Sequence, residues 1–317
     1  MKKALSVVLC ALMLMVYLFG CAAKEESKKS AEGDDNTPAT INVKNQQTLS
    51  AGDSTTIALK PDGSVVYTEV KNHSGFPEKA ISLDVYDRAL FVLPDNTVKL
   101  VNYANIRVSS EELAAVRSWT DIVSVALGYF HSVGLKSDGT VVYGGKDDFA
   151  TSELNTWTDI VAIDAGQNIT IGLKADGTVV LNDEFEYTDV STWTDIVAVS
   201  CQSGYALGLK SDGTVVATGR ENNPCCKVSE WTDIVAISAG LNHAVGLKAD
   251  GTVVSTVIED EDYDWGQTDV DDWTDLVAIS ANYTHTVGLK SDGTVVVAGK
   301  HADNPEQIVG WDNIWIP

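Results

Sequence analysis

Basic side chains are scarce in this sequence. Lys and Arg number 22 against 45 Asp and Glu, for a formal charge of −23. Binding to a phosphate backbone rests on Lys and Arg neutralising phosphates, so this balance speaks against nucleic acid as a partner. Local catalytic signatures are missing too. The chain has no Gly-x-Ser-x-Gly elbow, no Gly-rich loop closing on Lys-Ser/Thr, and no His-Glu-x-x-His. Cysteine is sparse: beyond Cys10 and Cys21 only Cys201, Cys225 and Cys226 remain, an odd number that cannot all pair. Helical periodicity is nearly absent, and only Ser109 to Arg117 reads as helix. What remains is an acidic chain of 317 residues, 44% hydrophobic, long enough for one large or two ordinary domains. Its acidity suits basic partners or cations, and equally serves solubility.

The N-terminus has the layout of an export signal. Lys2 and Lys3 precede an uncharged apolar run from Ala4 to Phe19. About 16 apolar residues is short for a membrane-spanning helix. The run ends in Leu18-Phe19-Gly20-Cys21, which resembles the bacterial lipobox. That resemblance implies cleavage before Cys21, diacylglyceryl attachment to its thiol, and an extracytoplasmic protein anchored to a bacterial membrane by lipid alone. Residues 22–45 are charged and poor in apolar side chains, so they read as a flexible tether. The expected organisation is a signal peptide at 1–20, a lipidated Cys and linker at 21–45, and a folded domain at 46–317.

That domain is repetitive. Trp-Thr-Asp-Ile-Val recurs at Trp119, Trp157, Trp193 and Trp231, and Trp-Thr-Asp-Leu-Val at Trp273, with an altered last copy at Trp311. A period of roughly 38 residues signals a solenoid, a propeller or an array. Within a unit, Ile234 to Ala239 is an apolar run of the kind a doubly buried strand shows. Asp250-Gly251 then separates two further apolar runs, a hairpin signal for a type I′ turn. Asp-Gly recurs at Asp62, Asp138, Asp176, Asp212, Asp250 and Asp292, and Asp95-Asn96 takes the remaining place. The count predicts an all-β, seven-bladed β-propeller with four-stranded blades. A parallel β-helix has shorter turns and lacks such hairpins. The first blade, beginning at Gln47 to Gly52, lacks a Trp-containing start, and Trp311 to Pro317 is such a start without a hairpin. Joining the two would close the ring.

The segments His131 to Val142 and His285 to Val296, with Ile234 to Gly240, resemble the repeat of the regulator of chromosome condensation family. The resemblance spans about residues 47–317 and implies a seven-bladed propeller. Export and short units look more like a bacterial branch that includes a secreted inhibitor of β-lactamases. The nucleotide-exchange activity of the nuclear founder does not carry over to an exported acidic chain. The family's Gly-Gln-Leu-Gly element is also missing, with only Gly266-Gln267 similar to it and Pro224-Cys225-Cys226 in the equivalent place of another unit.

Residues present in every blade serve the scaffold, since a catalytic site needs an asymmetric constellation. Trp and Asp of the Trp-Thr-Asp motif are therefore read as packing between blades and tying a turn. His131, His243 and His285 share one slot with Ile169 and Tyr205, which argues for structure over a zinc site. Cys201 aligns with Ala239 and Ala281 and reads as a small core residue. The variable segments 144–156, 181–192, 217–230, 255–272 and 298–310 all occupy the same place in the repeat, so they emerge on one side. Segments 181–192 and 255–272 hold four and eight acids and no Lys or Arg. With Phe149, Phe185, Tyr187, Asp262, Tyr263 and Trp265 they form the candidate ligand surface, because aromatics supply interface anchors. The alternation of Asp260, Asp262 and Asp264 before Gly266 is similar to a calcium loop, and Ca²⁺ is the one cofactor the sequence suggests. Against it, the glycine falls at loop position seven, not six, and flanking helices are absent. The expectation is a monomeric, non-enzymatic lipoprotein that binds a protein or a cell-envelope polymer of basic character. An exported hydrolase or lyase using loop carboxylates is the alternative.

Overall fold

The computed structural model describes residues 47–317 except 53–54, 69–74, 105–107, 146–152, 184–187, 259, 301–310, 312–313 and 315–317. Cys21, the signal peptide and the tether lie outside the described residues.

Seven antiparallel sheets of three strands follow one another along the chain, at 49–67, 82–101, 122–145, 160–183, 196–219, 234–255 and 276–299, here blades 1 to 7. Each sheet is a meander, so every blade is a local chain segment. Where a fourth strand was expected, the described residues instead form single turns of 3₁₀ helix at Leu154–Thr156, Pro224–Cys226 and Glu261–Tyr263. Between blades 2 and 3 the connection is an α-helix, α1 (Ser110–Ser118), whose N-cap Ser109 accepts from the Glu112 amide.

The turn chemistry explains the regularity. In Lys136-Ser137-Asp138-Gly139-Thr140, Gly139 N–H donates to Lys136 O at 3.0 Å and Lys136 N–H to Thr140 O at 2.9 Å. Gly139 alone takes positive φ, at 81°, and Asn96 takes its place at 62° in blade 2. The hairpins are thus not type I′, which would need positive φ at the aspartate too. Asp138 Oδ1 instead accepts from the Thr140 amide at 2.9 Å and hydroxyl at 2.6 Å, and the aspartate is not among the residues with positive φ.

The Trp-Thr-Asp motif fastens the other turn of each unit. Asp121, Asp159, Asp195, Asp233 and Asp275 adopt φ between 60° and 64°. Their carbonyls accept from the hairpin residue of the same blade, as in Ser137 N–H to Asp121 O at 2.9 Å. Short polar side chains tolerate this left-handed geometry better than branched ones. Trp119, Trp157, Trp193 and Trp231 are buried against the middle-strand glycines Gly134, Gly172, Gly208 and Gly246. No larger side chain leaves room for the indole there.

The core is distributed between blades, not inside them. Trp231, Ile234 and Ala239 of blade 6 pack on Tyr205, Leu207 and Val215 of blade 5, and each of the seven junctions has its own such cluster. The seventh joins Val287 and Leu289 of blade 7 to Leu49, Ala51 and Ala58 of blade 1, with Ile314 buried among them and Trp311 packed alongside. At each junction the residue opening the next blade donates its amide to the preceding hairpin, as Ile160 does to Gly139 O at 3.0 Å and Ile234 to Gly213 O at 3.0 Å. Ile314 makes the seventh of these bonds, to Gly293 O at 3.3 Å. Trp311 and Ile314 thus supply, at blade 1, the packing and the bond of the start that blade 1 lacks, as the sequence predicts.

Candidate functional site

The inner strands Leu49–Ala51, Ser82–Val85, Ile122–Leu127, Ile160–Ala165, Ile196–Gln202, Ile234–Ala239 and Leu276–Ala281 all line one cavity of about 410 Å³, the central channel. One position of these strands forms a belt around it: Ser50, Asp84, Ala126, Asp164, Ser200, Ser238 and Ser280. Each polar member accepts the amide that follows the equivalent residue of the next blade. Ser50 Oγ accepts from Val85 at 3.2 Å, Asp84 Oδ2 from Leu127 at 2.8 Å, and Asp164 Oδ2 from Cys201 at 2.9 Å. Ser200 Oγ accepts from Ala239 at 3.0 Å, Ser238 Oγ from Ala281 at 2.9 Å, and Ser280 Oγ from Ala51 at 3.1 Å. The belt is interrupted only at Ala126, and there the Ala165 amide turns to its own Asp164 Oδ1 at 2.8 Å.

Asp84 and Asp164 are the charged members of the belt, and no Lys, Arg or His is among the described residues lining the channel. Burial pushes the Asp84 carboxyl up to about 7, with the Asp164 charge adding to it. Burial pushes Asp164 up to about 6. The serine hydroxyls of Ser50 and Ser200 donate to these carboxylates at 2.9 Å each.

A second set of inter-blade ties lies at the channel end where inner and middle strands meet. His131 Nε2 contacts Thr170 Oγ1 of the next blade at 2.8 Å, His243 contacts Thr286 at 2.7 Å, and His285 contacts Thr56 at 3.3 Å. In the same slot Tyr205 donates to Gly240 O at 2.6 Å, and Arg88 donates to His131 O at 3.0 Å. Burial lowers His131 to about 3, aided by the Arg88 charge, and His243 to about 4. All three imidazoles are buried inter-blade ties on separate blades, and burial disfavours the charged form of His131 and His243. Arg88 is 1% exposed, and its guanidinium pairs with Asp87 and Glu112 at 2.9 Å each, which docks α1 onto blades 2 and 3.

The loop tips beside these ties do not repeat. Blade 3 carries Tyr129 and Phe130, 39% and 38% exposed, with ring centroids 4.4 Å apart. Tyr129 packs edge-on against Tyr86, which lines the channel. Blade 7 carries Tyr283, whose ring meets Trp265 at 5.1 Å. Tyr263 lies 6.2 Å from Trp265, and Lys300 Nζ sits 5.6 Å over the indole. Gln267 staples this loop from below. Fully buried, it donates to Tyr263 O and accepts from the Trp265 amide, both at 2.7 Å.

Similarity to solved structures follows the geometry. The ectodomain of the receptor kinase ACR4 of Arabidopsis thaliana superposes with a TM-score of 0.63 at 15% identity, over 80% of this chain and 94% of that one. The ectodomain of the receptor kinase CR4 of Physcomitrella patens gives 0.59 at 17% identity, over 80% and 73%. Prp20p, the RCC1 of Saccharomyces cerevisiae, gives 0.52 at 14% identity, over 79% and 81%. The fold is that of an RCC1-like repeat propeller. No protein-family model and no curated protein matches the sequence.

On this propeller the candidate surface residues fall as follows. Asp262 and Tyr263 are exposed, Tyr263 by 44%, and Trp265 is half-buried against Tyr283. Phe149, Phe185 and Tyr187 lie outside the described residues. The 255–272 loop has no base of its own, yet the fold brings Lys300 onto it. Asp260 Oδ1 caps the Asp262 amide at 3.1 Å and Asp264 Oδ1 caps that of Gly266 at 3.0 Å. Among the described residues no three acidic, His or Cys side chains are gathered as a metal ion requires. Cys201, Cys225 and Cys226 are thiols without a disulfide. Burial pushes Cys225 up to about 12 and Cys226 to about 11, so neither forms the thiolate that a nucleophile needs. Tyr86, Tyr129, Phe130 and Tyr283 are additions that repeat counting misses. Aromatic residues at non-repeating tips, beside the shared His slot, were the available signal.

Proposed function

We propose that this chain is an exported, lipid-anchored propeller that binds another protein through the face carrying Tyr263, Trp265 and Tyr283. The observation that supports it most is an asymmetry. Among the described residues the exposed aromatics are not spread evenly around the ring but fall at blade 3, as Tyr129 and Phe130, and beside blade 7, as Tyr263 next to Trp265 and Tyr283. Exposed aromatics on a rigid frame are the usual anchors of protein interfaces. The propellers of similar shape include receptor-kinase ectodomains and Prp20p, whose structure was studied with its binding to Gsp1p and histones. The eight acids of segment 255–272 favour a partner with a basic patch. The anchor is Cys21, by the lipobox-like tetrad it closes.

The test is retrieval of the partner from cell-envelope extract on the purified propeller, followed by association kinetics at low and high salt. A rim-charge contribution shows as an association rate that falls with salt, because exposed charges are screened over about 8–10 Å. A partner that binds equally fast at both salts, and that competes with no loop-face variant, contradicts the reading. Mass spectrometry of the native protein should find a diacylglyceryl-modified Cys21 at the N-terminus. A mature chain that starts elsewhere without lipid contradicts the anchor.

A further inference from the structure

Blades 3 and 7 lie across the ring from one another, with three blades between them one way round and two the other. Each presents an aromatic pair at the same channel mouth. Tyr129 and Phe130 reach it through Tyr86, and Tyr283 reaches it through its neighbour Asn282, both of which line the channel. Between the two pairs lies the opening of the 410 Å³ channel, with Asp84 and Asp164 on its wall and no base among the lining residues. Arg88, the one buried Lys or Arg among the described residues, is engaged by Asp87 and Glu112.

We propose that the loop face receives an extended segment of its protein partner laid across the channel mouth, with flanking side chains on Tyr129–Phe130 and Tyr283–Trp265 and a central Lys or Arg entering the channel toward Asp84 and Asp164. This rests on the protein-binding reading above and specifies the partner's chemistry. Charge complementarity carries it. The channel holds two carboxyl groups held apart from any base, and a cation among them recovers the attraction that burial otherwise denies. The aromatic tips supply apolar and cation–π contact for what flanks the cation. The raised carboxyls of Asp84 and Asp164 agree with an environment that lacks its counter-charge.

The belt itself provides the control. Asp84→Ser and Asp164→Ser install the residue that Ser50, Ser200, Ser238 and Ser280 already place there, so the inter-blade bond keeps an acceptor. The probes are synthetic peptides Tyr-Pro-Gly-Gly-X-Gly-Gly-Pro-Tyr, with one and two extra glycines per arm, X being Lys, Gln or Glu. Binding is measured by calorimetry on the full chain at pH 8. The expected result is a Lys peptide bound at least about tenfold more tightly than the Gln peptide, the scale of a charge-assisted contact. That preference should vanish in the double serine variant, while Phe130→Ala weakens Lys and Gln peptides alike. Equal binding of Lys and Gln peptides overturns the proposal, as does a Lys preference that survives both serines, or no binding of any peptide at 1 mM. If Phe130→Ala and Trp265→Ala weaken retention of the natural partner while the Lys preference is absent, only the channel assignment falls. If the aromatic variants change nothing, the protein-binding reading falls with it. A single cooperative thermal transition for the serine variants, with a midpoint at or above that of the parent at pH 8, confirms that the comparison is between folded proteins.

Discussion

The Ala51 amide donates to the Ser280 hydroxyl at 3.1 Å across a sequence separation of 229 residues. With Asn282 Nδ2 to Ala51 O at 2.6 Å and Thr56 to His285 at 3.3 Å, it joins the first blade to the last. The Ser280 bond repeats, at the seventh junction, the belt contact made at every other junction except the one after Ala126. Closure is thus the same contact used once more, with Ile314 completing the packing beneath it.

The closing residue should matter to the whole ring. Ile314 is 2% exposed, and Ile314→Ala should cost about 2–5 kcal/mol, as truncation of a buried aliphatic side chain does. Deleting residues 311–317 should cost more and lower the unfolding midpoint of all blades together. Urea unfolding followed by tryptophan fluorescence and far-UV circular dichroism checks this. A midpoint equal to that of the intact chain contradicts it.

Two opposed sets of titrating groups shape the pH dependence. Asp84 and Asp164 have folded values of about 7 and about 6, above the unfolded carboxyl value. The folded state then binds the extra protons, and stability from these groups is lost as pH rises from about 4 to 7. His131 and His243 have folded values of about 3 and about 4, below the unfolded imidazole value. The unfolded state binds the protons there, and stability is lost as pH falls below about 6.5. The two slopes oppose each other between about pH 4.5 and 7. Replacing both aspartates by serine removes one slope, so the variant should gain stability relative to the parent as pH rises through that window. Parallel stability–pH curves for the two proteins would rule out this assignment.

The Trp-Thr-Asp turn makes a local claim. Asp233 has φ of 60°, a region in which a β-branched residue is strained. Asp233→Val should cost about 1–2 kcal/mol, the penalty for left-handed geometry, whereas Asp233→Asn should stay near the parent. Chemical denaturation of the two variants distinguishes them, and equal midpoints would remove the turn from the account.

Blade number and closure were legible because the repeat is punctuated. Trp-Thr-Asp and Asp-Gly recur at fixed places, and the lone Trp311 segment is visibly half a unit. The helix at Ser110–Ser118 was legible through its cap and first-turn acids. Strand number per blade was not. A period near 38 residues accommodates four strands, but stretches such as Pro224–Cys226 and Glu261–Tyr263 wind into single 3₁₀ turns around Asn223 and Asp260 caps. The type I′ expectation failed because Asp-Gly alone does not show that the aspartate carboxylate is held by the next threonine. The channel-mouth aromatics escaped for a related reason. Tyr129 and Tyr283 sit in tight loops that the repeat marks as scaffold, and only the fold shows that Tyr283 meets Trp265 from a segment 18 residues away in sequence. Arg88 stands in the histidine slot of blade 2, where no motif announces it.

The central claim is that the aromatic loop face, and not the hairpin face, holds the partner. Its most direct measurement is the affinity of the retrieved partner for four proteins: the parent, Tyr263→Ala, Trp265→Ala, and Lys210→Ser, a change in the Asp212-Gly213 hairpin of blade 5, where the Lys210 amide donates to Thr214 O. The account predicts a loss of about 2 kcal/mol, roughly 30-fold, for each aromatic variant, and parental affinity for Lys210→Ser. Full affinity in both aromatic variants, or a comparable loss in Lys210→Ser, would contradict it and move the binding site off this face.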